Sequence, residues 1–93
     1  SEAVEPNDSQ LQVFPNPSTG LFTATYLVRQ SGSVSLQLQR PDGRTAMPIF
    51  NGTVAGGTAQ RHEVDARLLP AGTYLLTLST ATGKQVRKVL INQ

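Results

Sequence analysis

The sequence predicts an all-β chain, an antiparallel β-sandwich of about seven strands, with a small barrel as the alternative. Three observations carry that reading. Apolar and polar residues alternate with a period of two in segment after segment, a helical period is nearly absent, and Gly, Pro, Asn and Asp cluster between the alternating segments. Short strands without a helix to cover them must bury their apolar faces against one another, and two packed sheets do that.

Taken in order, the first strand is expected at 11–14 and ends where Phe14-Pro15-Asn16-Pro17-Ser18-Thr19-Gly20 begins. Each proline there fixes its own φ and biases the residue before it toward extended backbone, and Gly20 permits a turn into the next strand. At 21–28 Phe22, Ala24, Tyr26 and Val28 share one face, opposite Thr23 and Thr25. At 33–40 Val34, Leu36 and Leu38 alternate with serine and glutamine, so their face points inward. Pro41-Asp42-Gly43 supplies a preset φ, a capping carboxylate and a residue free to take positive φ, the chemistry of a hairpin loop.

Weaker strands are expected at 44–51 and 58–64, with Asn51-Gly52 and Gly56-Gly57 bracketing a longer connection between them. The strand at 72–79 places Tyr74, Leu76 and Leu78 on one face. Its start, Leu68-Leu69-Pro70-Ala71-Gly72-Thr73-Tyr74, has the spacing of the tyrosine corner, which makes the predicted sandwich immunoglobulin-like. The ring then packs in the core while the hydroxyl binds backbone a few residues upstream. Gln30-Ser31-Gly32 and Ala81-Thr82-Gly83 read as further hairpins. The last strand, 85–91, has Val86 and Leu90 on one face and Val89 and Ile91 on the other. Val89 and Ile91 are taken as inward, and an edge position with a twist or bulge accounts for the mixed pattern.

Ninety-three residues fit one domain, assigned to 11–93, after an acidic segment at 1–10 expected to be a disordered linker. Glu2, Glu5 and Asp8 place three acids and no base in the first nine residues. The remainder has eight bases against three acids, a mild excess that keeps a small domain in solution and favours anionic partners. The abrupt acidic start reads as the trimmed C-terminal part of a longer protein. No apolar run approaches the roughly 20 residues that span a bilayer as a helix, and the N-terminus has no signal-peptide pattern.

The chain has no cysteine, which removes disulfides, thiolate nucleophiles and cysteine-based zinc sites. His62 is its one histidine, and on a strand His62 and Glu63 point to opposite faces, so they form no general-base pair. No catalytic residue, metal ligand or cofactor site is nominated. The glycines have no phosphate-loop spacing, and five aromatics without tryptophan make neither a nucleic-acid platform nor a row of sugar-stacking rings. Asn7-Asp8-Ser9 and Asn51-Gly52-Thr53 fit the glycosylation sequon, a pattern short enough to arise by chance.

Four motifs recur in a fixed order: Phe14-Pro15-Asn16-Pro17-Ser18-Thr19-Gly20, Pro41-Asp42-Gly43-Arg44, Leu69-Pro70-Ala71-Gly72-Thr73-Tyr74 after Val64-Asp65, and Lys88-Val89-Leu90-Ile91. Together they resemble the C-terminal sorting domain of the type IX (Por) secretion system, type A, over about 11–91. The resemblance implies a non-catalytic secretion address on an immunoglobulin-like sandwich. Its partners would be the upstream cargo in the same chain, the outer-membrane translocon and a sortase-like cysteine peptidase. The peptidase would cut within 1–10 and leave the cargo, after passage through the periplasm, at the cell surface or secreted. The positions matching the motifs are Pro15, Asn16, Pro17 and Gly20, then Gly43 and Arg44, then Pro70, Gly72 and Tyr74, and finally Lys88, Val89 and Ile91. The chain ends Asn92-Gln93, where many members finish on a basic residue. The last strand, with Lys84, Arg87 and Lys88, is expected to contribute to docking through an open edge near the C-terminus. A different class of function is an adhesive or carbohydrate-binding accessory sandwich on an exported protein.

Overall fold

The computed structural model describes residues 10–92. Seven strands follow in order: β1 (Gln12–Phe14), β2 (Leu21–Leu27), β3 (Gly32–Gln39), β4 (Thr45–Val54), β5 (Ala59–Asp65), β6 (Gly72–Thr80) and β7 (Gly83–Ile91). They form two antiparallel sheets, one of three strands ordered β1-β2-β5 and one of four ordered β4-β3-β6-β7. The acidic segment and the Asn7 sequon, apart from Gln10, lie outside the described residues.

The inward faces are those that the alternation marks. Phe22, Ala24, Tyr26 and Val28 meet Val34, Leu36, Leu38, Tyr74, Leu76 and Leu78 in one core, which Leu11, Val64, Val89 and Ile91 complete. Leu36, Leu38, Leu76 and Val89 are wholly shielded from water. With no cysteine in the chain, burial of this apolar surface is the main force holding the sheets together. Tyr74 is buried among these residues and its hydroxyl donates to the Pro70 carbonyl, which makes the tyrosine corner.

The segment Gln30-Ser31-Gly32, read as a hairpin, instead crosses from one sheet to the other, because β2 pairs with β1 and β5 while β3 pairs with β4 and β6. Two further details differ from the sequence expectation. β4 continues through Asn51 and Gly52 to Val54, because β3 begins at Gly32 and offers a partner for every residue up to Gly32↔Val54. Gly52 therefore lies inside a strand, where a Cβ would come 3.2 Å from the Phe50 ring. The connection shrinks to the turn around Gly56-Gly57. Second, β7 pairs with β6 without interruption from Gly72↔Ile91 to Thr80↔Gly83, so its mixed pattern needs no bulge. Val86 and Leu90 simply alternate with Lys84 and Lys88 on the outer face and remain exposed. The irregularities fall on β4, whose pairing with β3 shifts register twice, on either side of Pro48 and Met47.

Candidate recognition surface

Successive strands run in opposite directions, so every second connection lies at the same end of the sandwich. The connections after β1, β3 and β5 and the end of β7 share one pole, and these are the four places where the sequence motifs fall. The pairing Gly72↔Ile91 joins the third motif to the fourth, and a bridge between Ser18 and Ile91 joins the first to the fourth. An open depression between Arg40-Pro41-Asp42 and Pro70-Ala71-Gly72 sets the second beside the third.

The Pro-rich segment is built onto the outer edge of β7. The Asn16 side-chain amide donates to the Lys88 carbonyl at 2.7 Å and accepts from the Leu90 N–H at 3.0 Å, doing with one side chain what a paired strand does with its backbone. Ser18 continues the pairing: its N–H donates to the Leu90 carbonyl at 3.0 Å, and its carbonyl accepts from Asn92 N–H at 2.7 Å. The peptide bonds before Pro15 and Pro17 are both cis. Gly20 closes the segment at φ 116°, where a Cβ would stand 2.9 Å from Arg67 Cα, and its carbonyl accepts from Ala66 N–H. The edge predicted to be open near the C-terminus is therefore occupied from Lys88 to Asn92 by Asn16 and Ser18.

The second motif is a tight hairpin. Gly43 N–H donates to the Arg40 carbonyl, and the Asp42 carboxylate accepts from Arg44 N–H at 3.0 Å, with Gly43 at φ 93°. Arg44 projects into solvent beside Asp42. The motif residues thus divide by burial. Pro15, Asn16, Pro17, Gly43, Arg44, Pro70 and Lys88 are exposed and can be touched by a partner. Gly20, Tyr74, Val89 and Ile91 are buried and half-buried Gly72 pairs with Ile91, so they shape the pole rather than present themselves. Sequence reasoning missed Ser18, a buried polar residue that the edge pairing explains. Its signal was a small hydroxyl residue placed between Pro17 and Gly20, where extra backbone partners are needed.

His62 lies away from this pole on β5, half-buried. Its Nε2 is 3.1 Å from the Tyr26 hydroxyl, and its ring stacks on Tyr26 and tilts against Phe50 across the sandwich. Burial holds its pKa below the ordinary value. Glu63 turns outward to Arg61 at 3.0 Å, so the two neighbours share no proton path. Among the described residues no cluster of His, Asp or Glu could hold a metal ion, and no helix is long and apolar enough to cross a membrane. The pole opposite the motifs has a cavity of about 330 Å³ floored by Val28, Val34 and Leu78, with Arg29 and Lys84 also in its lining.

A family model described as "Secretion system C-terminal sorting domain" matches residues 12–92 of the chain. Comparison with curated proteins finds no match.

Proposed function

The chain belongs to the type IX secretion C-terminal sorting domains, and from that premise we propose that its motif pole is the address that the outer-membrane translocon reads. A domain of this family is a sorting signal and not a catalytic unit, and it implies a cargo protein, secretion machinery and export across the outer membrane. The observation that carries the finer reading is the meeting of four motifs, far apart in sequence, at one end of a rigid sandwich. Buried motif residues hold the loops in place, and Pro15, Pro17, Arg44, Pro70 and Lys88 form the exposed surface. In this reading a sortase-like peptidase then cuts within residues 1–10 and leaves the cargo at the cell surface.

The test is a reporter cargo fused to the domain with Arg44→Glu and Lys88→Glu. Both side chains are exposed, so thermal stability should stay within about 0.5 kcal/mol, while secretion should fall and the cargo should collect in the periplasm. In the unaltered fusion, mass spectrometry of the exported cargo should find its C-terminus within residues 1–10. Undiminished secretion of the variant removes the pole from the address. Export with residues 11–93 still attached favours a retained binding module.

A further inference from the structure

A sandwich of two open sheets has four edge strands, and three of them are blunted here. β1 is three residues long. β4 contains Pro48 and two register shifts. β7 is occupied along its last residues by Asn16 and Ser18. β5 has none of these protections: it pairs with β2 residue for residue over all seven positions, without proline or bulge, and among the described residues no backbone lies on its outer side. The three-stranded sheet also stops one strand short of the four-stranded one, and Met47 and Phe50 on β4 are only half-buried.

We infer that β5 pairs antiparallel with β5 of a second copy of this chain, about a two-fold axis at His62. In such a pair the residues facing each other have numbers symmetric about the axis. Centring on His62 sets Ala59 opposite Asp65, Gln60 opposite Val64, and Arg61 opposite the second copy's Glu63, twice. Arg61 and Glu63 are the exposed charges at the middle of the strand, and in the single chain they pair with each other, 3.0 Å apart, while the Thr23 hydroxyl of β2 donates to the other Glu63 oxygen at 3.5 Å. Across the axis each gains a second opposite charge directly facing it, the arrangement that favours a cross-strand pair. The neighbouring registers are worse. Centring on Arg61 opposes arginine to arginine, and centring on Glu63 opposes glutamate to glutamate while calling on Asp65, which Arg67 already holds at 2.9 Å. Only the His62 register pairs all seven residues.

The added strand also extends the shorter sheet past β5, where the His62 ring already touches Phe50 of β4. Its inward residues would cover the half-buried side of β4. The occupant is thus fixed by two features of β5 itself, an unblunted backbone edge and a charge pattern that complements its own reverse.

Sedimentation equilibrium on the 93-residue chain at neutral pH tests this. The expected result is a reversible dimer. Arg61→Glu and Glu63→Arg should each weaken it roughly tenfold, since both facing pairs become like-charged, and the double variant Arg61→Glu with Glu63→Arg should restore it. Circular dichroism checks that each variant is folded, and the double variant keeps the test decisive if one single variant is not. A chain that stays monomeric, or a dimer indifferent to the single reversals, overturns the inference.

Discussion

Asn16 shows how much one side chain can do where two strands almost meet. Its amide joins two backbone groups of β7 that would otherwise face water at a sheet edge. Asn16→Ala removes both bonds and should destabilise the domain by about 1–2 kcal/mol, a fall in Tm of several degrees in a chain of this size, read by thermal unfolding. A variant as stable as the parent would show that Ser18 alone holds the segment. His62 sets a different sensitivity. Burial lowers its folded pKa below the unfolded value near 6.5. The unfolded chain then takes up the proton first, so His62's contribution is present above about pH 6.5 and is lost as pH falls through the folded value. Urea midpoints measured from pH 8 to 5 should decline, and His62→Gln should flatten the decline. Asp65, whose pKa the Arg67 guanidinium holds below its ordinary 3.8, acts only in more acidic solution and does not overlap this window.

At the scale of the element, the sequence made the strands and their inward faces legible, because a period of two needs only local residues. Val34, Leu36 and Leu38 could point nowhere but inward. The same logic succeeded at Val89 and Ile91 and failed for the explanation offered beside it, since β7 is regular and its exposed Val86 and Leu90 are outer-face residues spaced by lysines. β4 was read too short for a related reason. Asn51-Gly52 carries the local signal of a turn, and only the partner residues 34 and 35 on β3 hold it extended. The role of Asn16 was hidden entirely, because its partners lie more than 70 positions away in the chain and no periodicity reports them. What the composition did reveal at this segment was the need for fixed backbone, and the structure shows that the fixed backbone closes an edge.

For the whole molecule the decisive property is polarity. The chain is elongated, 37 × 26 × 23 Å, and the alternation of strands sends odd connections to one end and even connections to the other. The four motifs occupy the odd end, while the connections at Gln30-Ser31, Gly56-Gly57 and Ala81-Thr82 occupy the even end. Convergence of the motifs was therefore implicit in strand count and order, although each motif alone looked like ordinary turn chemistry. The two ends should respond differently to the same insult. Gly57 is exposed at φ 80° with nothing near its missing Cβ, so a short flexible insertion after it lengthens a surface turn and should cost about 1 kcal/mol or less. Gly43 is exposed at φ 93° with equally open surroundings, so the same insertion there should cost a similar amount of stability. If the odd end is the address, export of a fused reporter should survive the insertion after Gly57 and fail with the insertion after Gly43, at matched thermal stability. Equal export from both would mean that the translocon reads the sandwich as a whole, or reads its other end, and that the motifs meet only because they build the fold.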